Sequence, residues 1–155
     1  MLYTEEEKLK RDSTKWTLVQ GILAPIQFIF FLVSLALVIN YFMTGEYATL
    51  ALLSVVIKTF LLFLIMITGC LWEKAVFDCY LFAKPFYWED VVSIFVMILH
   101  SIYLLSLFTT AFTISEKLLI ALVAYFAYVI NATQFLLKFR AASIQSRQVL
   151  EGVST

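Results

Sequence analysis

Apolar residues in this chain run in blocks too long for strands and too uniform for amphipathic helices on a water-facing surface. Four such blocks occupy about 17–42, 48–72, 88–112 and 118–139, and each reaches the roughly 20 residues that a bilayer-spanning helix needs. Short breaks separate them. The first falls at Thr44-Gly45, the second is the longer polar and aromatic stretch EKAVFDCYLFAKPFYWED containing Pro85, and the third is TISEK. The pattern predicts an all-α polytopic membrane protein, a single membrane domain over 1–155 built as a four-helix transmembrane bundle. An N-terminal segment 1–15, a middle loop 73–87 and a tail 140–155 are left outside the spans.

Composition agrees. Hydrophobic residues make up 63% and charged residues only 14%, against roughly 45–50% and 25% in soluble domains. Basic residues sort the ends. Nine of the eleven Lys and Arg fall on the side of the N-terminal segment, middle loop and tail, counting Lys138 at the end of the fourth block, while the opposite side holds only Lys117, and Lys58 lies within the second block. By the positive-inside bias, both termini and the middle loop are expected to be cytoplasmic. Cys70 and Cys79 then meet a reducing compartment, which argues against a structural disulfide. A net charge of zero gives no basis for nucleic-acid binding. Two cysteines and one histidine do not supply a metal framework or a bis-His haem site. The start MLYTEEEKLKRDSTKW lacks the features of a signal peptide, so the first block is expected to be retained.

The few polar residues within the blocks fall on helical stripes. Gln20, Gln27 and Ser34 recur every seven residues. Lys58, Ile65, Gly69 and Glu73 follow a 7, 4, 4 spacing, and Glu89, Ser93, Val96 and His100 a 4, 3, 4 spacing. Asn131, Gln134 and Lys138 follow 3, 4. Each set lies on one helical face, and intramembrane polar groups face a bundle interior. At 1.5 Å per residue, Gln27, His100 and Asn131 lie roughly 14–18 Å from the cytoplasmic ends, and Lys58 roughly 24 Å. The expected site is an internal cleft with Glu73, Glu89 and Asp90 at its mouth and amides and an imidazole at its floor.

Each residue also has a plainer reading. Gln27, Asn131 and Gln134 serve equally as interhelical hydrogen-bonding groups. Glu89 and Asp90 open the third span, where carboxylates cap free N–H groups. Glu73 and Lys74 follow Trp72 as an interfacial anchor would. His100 is either a packed imidazole or a proton carrier or magnesium ligand. Lys58 either snorkels outward or meets a substrate oxygen. The aromatic residues of the middle loop, Trp88 among them, fit either an interfacial belt or a slot for a flat conjugated ligand.

The segments WTLVQGILAP, WEK, FYWEDVVS and AYVINATQF, in this order over positions 2 to 142, resemble the 3-vinyl bacteriochlorophyllide hydratase family of bacteriochlorophyll biosynthesis. The resemblance implies hydration of the C3 vinyl group of an unesterified magnesium (bacterio)chlorophyllide to a 1-hydroxyethyl group. It also implies the inner membrane of a phototrophic bacterium, with possible self-association or pairing with other pigment-biosynthesis enzymes. Such a reaction needs an acid, a base or water-orienting group, and an apolar slot. It needs no cofactor, since the magnesium belongs to the substrate. Glu73 and Glu89 are the first candidates for the acid, with Asp90 and His100 as water-orienting groups. His100 is alternatively a ligand to the substrate magnesium. Gln27, Trp88, Asn131 and Gln134 are candidates for substrate contact, and Lys58, Lys74 or Lys84 for holding the ring propionate. The competing function is a non-catalytic pigment-binding or assembly protein using His100 as a magnesium ligand. A small transporter or channel subunit fits poorly, because the outer halves of the spans carry little polar lining.

Overall fold

The computed structural model describes residues 2–153 and contains five helices, with no strand among those residues. Helix α1 covers Glu5–Ser13, α2 Lys15–Thr44, α3 Ala48–Phe77, α4 Tyr87–Ser106 and α5 Ile114–Val153; a single 3₁₀ turn, Lys84–Phe86, precedes α4. Four of these, α2 to α5, are long and apolar enough to cross a membrane. Only 22% and 28% of the most apolar windows of α2 and α3 are buried within the protein. The remaining Leu, Ile and Phe side chains face outward, an arrangement a bilayer accepts and water does not.

Several expected boundaries move. The segment 1–15 is not simply extended chain: Thr4 accepts from the Glu7 N–H while Glu7 accepts from the Thr4 N–H, a capping box that opens α1. The same device, Thr113 with Glu116, starts α5 at Ile114, so TISEK is the first turn of a helix and not a break. Helix α4 stops at Ser106, six residues before the expected 112; Leu107 and Phe108 tighten onto the carbonyls of Leu104 and Leu105. Helix α3 continues to Phe77, so Glu73 and Lys74 sit on a helix and not in the middle loop. The tail is helical as well. Forty residues make α5 about 60 Å long, twice the roughly 30 Å of a bilayer's hydrocarbon core, and its outer turns reach the chain start, where the Leu2 N–H donates to Gln145.

The turn at Thr44-Gly45 forms as expected. Gly45 takes φ +73° and its N–H closes α2 on the Tyr41 carbonyl, a left-handed position that suits a residue without Cβ. Helices α2 and α3 thus form one hairpin, and α4 and α5 a second, each closely packed, with sparser contact between the two. Side-chain bonds tie the hairpins together: Ser34 meets the Tyr125 hydroxyl at 2.6 Å, and the Tyr103 hydroxyl donates to the Leu52 carbonyl at 2.8 Å. At the end where the connection between α3 and α4 lies, fully buried Phe86 wedges among Trp72, Phe77, Phe135 and Phe139. This is the basic end of the bundle, and the Trp72 indole N–H is fixed there by Thr17 at 2.9 Å.

Candidate active site

The connection between the two hairpins folds over two carboxyl groups. Helix α3 ends where Asp78 turns left-handed at φ +63°. Lys74 bonds the Asp78 carboxylate at 2.6 Å and its carbonyl at 3.1 Å. That hydrogen bond and the ammonium charge hold the exposed Asp78 carboxyl below its ordinary range. Lys74 is therefore committed to closing its own helix. Four residues on, Phe82 is also left-handed at φ +61°, a conformation that costs of order 1–3 kcal/mol outside glycine. The bend turns two successive backbone N–H groups inward. Phe82 donates to Asp90 at 2.8 Å and Ala83 to Glu73 at 3.2 Å.

Glu73 and Asp90, from α3 and α4, are 5% and 3% exposed, and their carboxyls are close enough to act on one another electrostatically. Like charges disfavour one another, so two buried carboxyls this close favour holding a proton between them over ionising together. Asp90 does not cap its own helix, as the sequence allowed; its oxygen serves the preceding loop. Glu89, one residue earlier and about 100° around the helix, turns instead toward α5. Its carboxylate faces Lys138 at 3.4 Å, and its carbonyl accepts from Asn131 at 2.9 Å. Ser93 donates to Asn131 at 3.0 Å, and Asn131 reaches Gln134 at 3.4 Å. Asn131, expected at the floor of a cleft, is thus used in bonding α5 to α4.

A second polar group sits deeper, at the centre of the bundle. Lys58 and His100, both fully buried, are 3.0 Å apart through Nζ and Nε2. Nδ1 of His100 lies 2.8 Å from the Val96 carbonyl, which can only accept, so Nδ1 carries the hydrogen and Nε2 accepts from Lys58. The Lys58 Nζ also stands 3.6 Å from the centre of the Tyr128 ring, with Tyr125 and Phe31 beyond. Neither nitrogen of His100 is free, and a magnesium ion bound there would have to displace Lys58. Gln27 is buried nearby on α2, its Nε2 without a hydrogen-bond partner among the described residues. Its stripe neighbour Gln20 bonds Thr68 at 2.6 Å.

The polar stripes therefore face inward, as expected, yet they do not line one common cleft. The open space lies elsewhere. A groove of about 480 Å³ runs between α3 and α4, walled by Met66, Cys70, Met97 and a row of isoleucines, with Leu81 of the connection closing one end. Its rim residues Ile67, Ile98, Ile102 and Leu105 are exposed, which opens it sideways at the level of the spans. The carboxyl pair is not part of this lining and lies one helical turn beyond it. Cys70 is one turn from Glu73, Ile94 one turn from Asp90, and both carboxyls act on Cys70 electrostatically. The volume falls within the roughly 300–1,000 Å³ of small-ligand pockets. Trp88, expected in a ring slot, is 69% exposed and packs edge-on against Tyr87, away from the groove. Lys84 is exposed on the connection.

Sequence reasoning missed the groove and the two inward N–H groups. The groove's residues are as apolar as those facing lipid, so nothing in their pattern distinguishes them. Phe82 in a left-handed conformation has no sequence signature of the kind glycine or asparagine gives.

Comparison with known proteins adds a second line of observation. The family model described as 2-vinyl bacteriochlorophyllide hydratase (BCHF) matches residues 3–141. A 2-vinyl bacteriochlorophyllide hydratase of Rhodobacter capsulatus is 55% identical over 145 residues, covering 94% of this chain and 84% of that protein. One from Cereibacter sphaeroides is 56% identical over 143 residues, covering 92% and 89%. No solved structure matches.

Proposed function

The chain belongs to the 2-vinyl bacteriochlorophyllide hydratase family, and from that premise we propose that it adds water to the macrocycle's vinyl group at the carboxyl pair Glu73–Asp90. The vinyl position is numbered 2 in the family name and 3 in the current numbering of the ring. The product carries a 1-hydroxyethyl group in its place, and the protein is a hydro-lyase of bacteriochlorophyll biosynthesis. Its place is the cytoplasmic membrane of a phototrophic bacterium, with the basic end of the bundle facing the cytoplasm, as its nine basic residues favour.

The observation that carries the reading is a pair of buried carboxyls, each held by one of two successive backbone N–H groups, one helical turn from the lining of an apolar groove. Hydration requires a proton for the terminal vinyl carbon and a hydroxyl for the inner one. The proton held between Glu73 and Asp90 goes to the terminal carbon. Positive charge then develops on the inner carbon and spreads into the conjugated ring. A water oxygen bonds to that carbon, and its surplus proton returns to the pair, which ends as it began. One pair thus serves as acid and then as base. The Phe82 and Ala83 N–H groups fix both carboxyls and steady the negative charge left after proton donation. The groove walls hold the ring and keep bulk water from competing. No electron is gained or lost overall, so the reaction calls for no redox cofactor, and the magnesium travels with the substrate.

Glu89 faces a cation and lies on the α5 side, so the acid is assigned to the pair and not to Glu89. His100 and Lys58 are bound to one another and take structural roles. Expression in a host without pigment pathways, followed by feeding vinyl chlorophyllides and weighing the products, tests the proposal. Repeated turnover to a product heavier by one water is expected. Stoichiometric binding without that product would instead indicate the pigment-binding scaffold.

A further inference from the structure

The connection between α3 and α4 carries two lysines, and they are not equivalent. Lys74 bonds the Asp78 side chain and carbonyl. Lys84 is exposed and forms no ion pair among the described residues. It follows Ala83, the residue whose N–H is bound by Glu73, so its Cα lies about 3.8 Å from that of Ala83. Three residues earlier, Leu81 closes the groove. The exposed rings of Phe82 and Tyr87, 5.4 Å apart, stand beside this segment, at the level where aromatic side chains meet lipid headgroups.

An exposed cation with no ion pair among the described residues thus follows directly on the residue whose N–H binds Glu73, in the same connection that contributes Leu81 to the groove. A flat apolar ligand bearing one carboxylate fits that combination: its ring lies in the groove and its charge stays at the interface. This rests on the hydratase reading, in which the substrate is a macrocyclic free acid whose carboxylate-bearing ring neighbours the vinyl-bearing one. We infer that Lys84 binds the substrate's free carboxylate and thereby turns the vinyl edge of the macrocycle toward Glu73 and Asp90. Lys84 is a positioning residue and touches no reacting atom. The same contact makes the protein prefer the free acid over its ester.

The test compares the vinyl chlorophyllide acid with its methyl ester in the full-length protein. The wild type is expected to show a KM for the acid about fivefold below that for the ester, in keeping with a single exposed ion pair. Added salt should narrow the gap. Lys84→Gln should bring both the KM and the kcat for the acid to the values shown by the ester, because the vinyl edge is then no longer oriented, and leave all ester kinetics unchanged, with Lys84→Arg restoring the preference. Unchanged ester turnover reports that the variant is folded. An equal effect of Lys84→Gln on acid and ester, or none on the acid, overturns the inference while leaving the hydratase reading intact. A wild-type protein that hydrates neither compound removes the hydratase reading and this inference together.

Discussion

Glu73→Gln is expected to lower turnover of the vinyl substrate by about 10²- to 10⁴-fold, the range associated with a positioned general acid, while the macrocycle still binds. Glutamine keeps an oxygen for the Ala83 N–H, so the connection over the site stays in place. What is lost is the proton, since an amide beside Asp90 donates N–H and has no acidic hydrogen to give. Asp90→Asn should behave alike, because its remaining oxygen still accepts from Phe82. The diagnostic result lies in the double variant. Two groups that share one proton act as a unit, so removing both should cost about as much as removing either. Product formation is measured by mass and binding by the shift of the pigment's absorption band. If both single variants accumulate the alcohol at the wild-type rate, the pair is not the acid. If the losses multiply, the two carboxyls act separately.

The largest expected effect on stability lies at the centre of the bundle. His100→Leu removes the acceptor of the Lys58 hydrogen bond and leaves a buried amine with only aromatic faces for company. Leaving a buried donor without its partner costs about 1–3 kcal/mol, with the higher figure suited to full burial. Adding Lys58→Met removes the stranded amine and should recover most of that loss, because a buried polar pair replaced by apolar groups of similar volume is often neutral. Unfolding of the four proteins by denaturant in detergent micelles gives the coupling energy directly. Additive losses would mean that Lys58 and His100 do not depend on one another. The double variant should retain most of its hydratase activity, which separates a role in holding the hairpins from a role in proton transfer.

These two groups show where the sequence was informative. Block length alone located α2 to α5, because a run such as that from Thr17 to Phe42 has no stable alternative outside a bilayer. Helical spacing also placed Lys58, His100, Asn131 and Glu89 on inward faces, and all four are buried. Spacing fixes a direction around one axis, however, and says nothing about which neighbour is met there. Glu89 and Asp90 are adjacent in sequence and diverge by about 100°, so one bonds α5 and the other bonds the connection from α3. A single cleft mouth holding three carboxylates was not compatible with that divergence. The short helix α1 and the early start of α5 were written in the sequence as Thr-x-x-Glu at Thr4 and Thr113. Attention to hydropathy passed over them, since both lie in polar stretches. The last third of α5, from 140 onward, was left outside the spans for the same reason: it is polar, and hydropathy marks where a helix leaves the bilayer and not where it ends.

The sideways opening between α3 and α4 bears on what concentration means for this protein. A groove rimmed by Ile67, Ile98, Ile102 and Leu105 samples a ligand dissolved in the surrounding hydrocarbon and not in the aqueous phase. Occupancy is then governed by the mole fraction of pigment among lipids or detergent molecules. Adding micelles at fixed total pigment dilutes the reactant as effectively as adding buffer would for a water-borne enzyme.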